Sequence, residues 1–125
     1  MRYTVSREAF FSAAHHLRNY NGKCENIHGH NWRVQVFVST EKLDKDGFVI
    51  DFKLLDKIIK SIINELDHKD INNIEPFDKV NPTAENIAFH IIESSQKELK
   101  KYRDDLYISK VKVWESEKSC AEIEV

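Results

Sequence analysis

Only two cysteines, two prolines and three glycines occur among the 125 residues. The cysteines, Cys24 and Cys120, lie far apart in sequence, which excludes a disulfide framework and suits free thiols in a reducing compartment. The glycines and prolines fall between periodic segments, and no repeat or low-complexity stretch intervenes. Residues 1–125 therefore read as one domain, long enough to bury a substantial core. Long apolar runs are missing too. Nothing approaches the ~20 apolar residues that cross a bilayer, and the start, MRYTVSREAF, has neither a long apolar segment nor a small-residue cleavage pattern. The expectation is a cytoplasmic protein with no membrane partner. A surplus of either charge is absent as well: 19 Lys and Arg stand against 21 Asp and Glu, a formal net charge of −2. That balance disfavours nucleic acid as a partner and requires any anionic ligand to be held by local cations.

Periodicity is what the sequence does have. Tyr3 to His15 is rich in β-branched and aromatic residues and reads as a first strand. NWRVQVFVST alternates Trp32, Val34, Val36 and Val38 with Arg33, Gln35 and Phe37, the pattern of a half-buried strand. DKDG is a turn in which Gly47 is free to take positive φ, and it lacks the later ligands of a calcium loop. From Asp51, a cap, the period becomes helical: Leu54, Leu55, Ile58, Ile59, Ile62, Ile63 and Leu66 line one side. DHKDINNIEPFDKVNP is a polar connection, long enough for the loop-length prior to point to function. Thr83 is a second N-cap, with Glu85 in the first turn and Ile87, Ala88, Ile91, Ile92 and Leu99 facing inward. LYISKVKVWES, with alternating Ile108, Val111 and Val113, and SCAEIEV close the chain; Cys120 is assigned to the core. The order ββααββ predicts an α+β fold, a four-stranded antiparallel sheet with two helices on one face. Its exposed edges favour pairing with neighbouring subunits.

Chemistry concentrates in KCENIHGHNW. His28 and His30, two apart at a strand start, project on the same side and can share one ion. His15 or His16, in SAAHHL, offers a third imidazole. Three neutral histidines with an open fourth position form the ligand set of a catalytic zinc site. Cys24, beside a lysine and a proposed cation, has the surroundings that favour a thiolate. Asp67 and His68 form an adjacent acid and imidazole suited to proton transfer. Glu115 ends the third strand.

In order along the chain, FSAAHHL, KCENIHGH, DKDGFVIDFKLL, LDHKDIN, NPTAENIA and VKVWES resemble segments of the 6-pyruvoyl-tetrahydropterin and 6-carboxy-tetrahydropterin synthase family. The resemblance implies the tunnelling fold, whose ββααββ unit assembles into a barrel, commonly a hexamer of two trimers with active sites between subunits. It implies zinc ligands His15, His28 and His30, a catalytic cysteine at Cys24, a proton relay at Asp67 and His68, and a pterin anchor at Glu115. Thr83 and Glu85 match the segment bordering the pterin pocket. The implied substrate is dihydroneopterin triphosphate. The three-residue spacing between Cys24 and His28 resembles the 6-carboxy branch, which releases triphosphate and acetaldehyde on the route to queuosine, rather than the 6-pyruvoyl branch. Glu25 departs from that pattern and resembles relatives that form a 6-hydroxymethyl pterin for folate. A metal- or pterin-binding module without catalysis is the competing class; it needs neither Cys24 nor the Asp67 and His68 pair.

Overall fold

The computed structural model describes residues 1–22 and 25–125. Strands β1 (Tyr3–His15) and β2 (His28–Thr40) precede helices α1 (Phe52–Ile63) and α2 (Ala84–Leu99), and strands β3 (Tyr107–Ser116) and β4 (Ser119–Glu124) follow. All neighbouring strands are antiparallel, and their spatial order is the chain order. The expected α+β architecture is the one observed.

Alternation explains which face of the sheet carries the helices. Ala9, Phe11 and Ala13 of β1, Trp32, Val34, Val36 and Val38 of β2, and Val111 and Val113 of β3 are all buried. Their pairing, with Phe11 opposite Trp32 and Val34 opposite Val113, lays these side chains on one face. Against it pack Leu55, Ile58, Ile59, Ile62 and Ile63 of α1 and Ile87, Ala88, Ile91 and Leu99 of α2. Asp51 caps α1 by accepting a hydrogen bond from the Lys53 amide, and Thr83 caps α2 by accepting one from the Asn86 amide.

Three details differ from the sequence reading. Helix α1 ends at Ile63, so Leu66 is buried from the turn beyond the helix and not from its stripe. The polar connection that follows contains a 3-10 turn, Ile71–Asn73, and buries Ile71 and Phe77 completely. It is thus a packed element whose apolar residues belong to the core and whose start bridges to β1 at Ala14. Cys120, assigned to the core, is exposed. On the edge strand β4 the inward positions are Ala121 and Ile123, and alternation turns Cys120 outward.

Candidate metal centre and its surroundings

Three strands carry the core pattern one step past its last apolar row. In β1 the inward series Ala9, Phe11, Ala13 continues to His15; in β2, reading back from Val34 and Trp32, it continues to His30 and His28; in β3, Val111 and Val113 continue to Glu115. The same alternation that builds the core therefore aims three imidazoles and a carboxylate at one place. His15 pairs with His28 across the β1–β2 ladder, and Ala13 with His30, so the rings sit side by side. Their centroids are 4.7 Å (His15 to His28), 5.1 Å (His15 to His30) and 4.9 Å (His28 to His30) apart. One nitrogen from each ring lies within 4.8 Å of the other two.

Hydrogen bonds decide which nitrogens face inward. Nδ1 of His15 bonds the Pro82 carbonyl at 2.8 Å, and Nδ1 of His28 bonds the Asn26 carbonyl at 2.9 Å. A carbonyl only accepts, so each Nδ1 carries a proton, and in the neutral ring the lone pair is on Nε2. Nε2 of His15 and Nε2 of His30 are buried without a hydrogen-bond partner. Unpartnered buried ring nitrogens are rare and costly, and one shared cation would satisfy both. Burial holds His30 below the ordinary imidazole range, against the opposing pull of Glu115. A neutral ring is the state that ligates a metal. Trp32 walls the cluster: its ring is edge-on to His15 at 4.9 Å and to His30 at 5.4 Å, and its indole N–H donates to the Ala13 carbonyl. The residues present thus fit a divalent ion, with His15, His28 and His30 as its holders.

Glu115 adjoins this cluster. The β3–β4 register slips between Trp114 and Ser116, which leaves Glu115 without a partner on β4. The Glu115 carboxylate stands 3.4 Å from Nε2 of His30 and 4.0 Å from Nε2 of His15. It also lines a groove of about 320 Å³ with Ala84, Glu85, Ser119, Cys120, Ala121 and Glu122. Among the described residues no Lys or Arg lines that groove, so its three carboxylates suit an N–H-rich ligand better than an anion.

The remaining predicted residues are placed differently. Asp67 and His68 do pair, with His68 Nδ1 3.0 Å from Asp67 Oδ1. They stand apart from the histidine cluster on the outer edge of β1, where Asp67 accepts the Ser12 amide and the His68 ring is largely exposed. That amide hydrogen bond, then the His68 ring, holds the Asp67 carboxyl below its usual range. Thr83 has its hydroxyl engaged by the α2 cap, while Glu85 reaches the groove. His16 is not among the clustered rings. Glu25 is half-buried, its carboxylate accepting the Leu17 amide at 3.0 Å. Cys24 and Lys23 lie outside the described residues. Sequence reasoning missed Trp32 as a wall and the Pro82 carbonyl as the partner that orients His15. The phase of Trp32 with His28 and His30 was the available signal for the first; nothing local announced the second.

The family model described as 6-pyruvoyl tetrahydropterin synthase matches residues 4–125. The chain belongs to this family. Its members include enzymes of the lyase type that act on pterins. A dihydroneopterin monophosphate aldolase of Pyrococcus furiosus is 34% identical over 124 residues, 99% of each chain. A 6-carboxy-5,6,7,8-tetrahydropterin synthase of Haemophilus influenzae is 32% identical over 142 aligned residues, covering 96% of this chain and 97% of that one. Among solved structures, the 6-pyruvoyl tetrahydropterin synthase of Caenorhabditis elegans superposes with a TM-score of 0.84 at 27% identity, covering 100% of this chain and 96% of the other. The tunnelling fold of this family is therefore the fold of the chain, and none of its described helices is long and apolar enough to cross a membrane.

Proposed function

We propose that the protein is a zinc-dependent 6-carboxy-5,6,7,8-tetrahydropterin synthase, converting dihydroneopterin triphosphate to the 6-carboxy pterin with release of triphosphate and acetaldehyde, in the route to queuosine. The observation that carries the reading is the convergence of three imidazoles with two unpartnered Nε2 atoms beside a carboxylate-lined groove. Relatives named 6-carboxy synthases, such as that of Haemophilus influenzae, support the choice of product.

His15, His28 and His30 would hold the zinc ion, which when bound would supply Lewis-acid stabilisation of negative charge developing on the substrate. The chain's own groups do the rest. Glu115, at the border of cluster and groove, accepts N–H bonds from the amino and amide edge of the pterin and fixes the ring while its side chain reacts. Glu85 borders the same ring from the start of α2. Cys24, four residues from His28, takes the proton from the side-chain carbon. His68, oriented by Asp67, returns a proton on the opposite face. In a single chain His68 points outward, so this role belongs to a site shared between subunits of a barrel-forming oligomer, a dimer of trimers. Triphosphate binding falls to local cations, with Lys23 a candidate from its place beside Cys24 in the sequence.

A second reading rests on a specific observation. Glu25 directly follows Cys24, and a relative named as an aldolase matches this chain over 99% of both lengths. In that case the same C1′–C2′ bond of the side chain is cut by a retro-aldol step, C2′ and C3′ leave as glycolaldehyde, and C1′ stays on the ring as a 6-hydroxymethyl group. The deciding experiment incubates zinc-loaded protein with dihydroneopterin triphosphate and, separately, the monophosphate, and identifies products by mass spectrometry. The first reading expects a 6-carboxy pterin from the triphosphate. A 6-hydroxymethyl product transfers the assignment to the second. Unchanged substrate in both arms, with zinc bound, removes the enzyme in favour of a binding module.

A further inference from the structure

We infer that Asn81 is a positioning residue for the metal centre: it fixes, in one frame, the main chain that leaves His15 and the carbonyl that orients the His15 ring. The inference rests on the metal reading above and extends it to residues beyond the ligands.

His15 and His28 form the last pair of the β1–β2 ladder. Past that pair Glu25 takes over the β2 side, its amide donating to the Leu17 carbonyl at 3.0 Å and its carboxylate accepting the Leu17 amide at 3.0 Å. On the opposite edge, which faces away from β2, two asparagine carboxamides hold the main chain. Asn72 accepts from the His16 amide at 2.9 Å and donates to the His16 carbonyl at 3.0 Å. Asn81 does the same at the next outward-facing residue, accepting from the Arg18 amide at 2.8 Å and donating to the Arg18 carbonyl at 3.1 Å. A carboxamide reproduces the donor and acceptor of a peptide group, so each behaves as one residue of an added strand.

What distinguishes Asn81 is its neighbour. The next residue, Pro82, supplies the carbonyl that takes the proton on His15 Nδ1. Proline has a fixed φ, so little slack separates the Asn81 clamp from that carbonyl. The Asn81 carbonyl is itself held, by the Asn86 carboxamide at 2.9 Å and the Thr83 amide at 2.9 Å. Arg18 closes the frame from its other end by donating to the Phe77 and Asn72 carbonyls. Partners outside the ligand shell set ring orientation and ligand basicity, and their loss weakens metal binding by about 10- to 100-fold. Asn81 acts through Pro82, so the lower figure, about tenfold, is the expectation.

The test uses the whole chain, stripped of metal. Zinc affinity is measured by competition with a chromophoric chelator, and cobalt(II) substituted into the site reports ligand geometry through its visible absorption. Asn81→Ala is compared with Asp51→Ala, which removes the α1 cap and so loses stability without touching the frame. The expected result is about tenfold weaker zinc binding and an altered cobalt spectrum for Asn81→Ala, with both unchanged for Asp51→Ala. If Asn81→Ala does not fold, Asn81→Asp, which keeps the acceptor for the Arg18 amide and loses the donor, takes its place with the same expectation. Affinity within twofold of the parent, or equal losses in the two variants, overturns the inference while the metal reading stands. A parent protein that binds neither zinc nor cobalt overturns both.

Discussion

At the scale of single residues, Glu115 carries the sharpest ambiguity. Its carboxylate is close to Nε2 of both His15 and His30 and also lines the groove, so it has the position of either a fourth ligand or a ring anchor. Glu115→Gln separates the two. The amide keeps the size of the side chain and one acceptor, but it loses the charge that strengthens bonds to ring N–H donors. Loss of a charge-assisted pair of this kind is worth about 2 kcal/mol, or roughly 30-fold in kcat/KM. The anchor role expects that fall with zinc content unchanged by metal analysis; zinc depletion in the variant makes Glu115 a ligand instead. The clustering of His28 and His30 was legible from their spacing, whereas the residues alone left His15 and His16 open and the resemblance chose His15; the structure shows the reason for its place in the cluster. His15, His28 and His30 keep phase with Ala13, Trp32 and Val34, so an alternating pattern that counts polar residues along with apolar ones points all three inward. Asp67 and His68 were legible as a pair only. Their place on the outer edge of β1 depends on a fold-back of the chain after α1 that sets the His68 amide against the Ser12 carbonyl, and no local pattern encodes it.

Elements tell a similar story with a different source of error. Leu66 apart, the stripes of α1 and α2 and both N-caps are where the periodicity put them, because capping and amphipathic spacing are local properties. The segment from Asp67 to Pro82 was read as polar and loop-like, yet it buries Ile71 and Phe77 and braces β1 through Asn72 and Asn81. Its apolar residues follow neither the helical nor the strand period, so their burial is set by long-range packing. Thr83 lies at the junction of this segment with α2 and has two assigned uses, cap and pocket wall. Removing the cap costs about 1 kcal/mol, a fall of roughly 4 °C in Tm for a chain of this size. Thr83→Ala is expected to show that fall by thermal melting, and Thr83→Ser, which keeps the hydroxyl, to restore it. A raised KM in Thr83→Ala with Tm unchanged would move the hydroxyl from the helix to the substrate.

For the whole molecule the question is which strand edges remain open. Along β1 the amides of Ser12 and Ala14 point away from β2, one to the Asp67 carboxylate and one to the Lys69 carbonyl, and Asn72 and Asn81 continue this cover to Arg18. By the two-residue period the amides of Ser6, Glu8 and Phe10 face the same way, and no described residue of the chain pairs with them there. The first half of β1 is therefore a row of open donors and acceptors, and the outer side of β4 is another. Open edges of this kind associate unless blocked, and Phe10, 67% exposed, adds apolar area beside the first. Pairing of one copy's β1 edge with a neighbour's β4 edge would close the sheet into the proposed barrel and bring an outward-facing His68 toward another copy. Proline at an edge position whose amide faces outward leaves the internal ladder intact. Glu8→Pro is accordingly expected to shift the protein from an oligomer to a monomer in light scattering after gel filtration, with its far-ultraviolet circular dichroism retained. Turnover should fall with assembly if His68 serves a neighbouring site. A parent chain that runs as a monomer, or a Glu8→Pro variant that keeps the full assembly, would show that these edges do not join subunits.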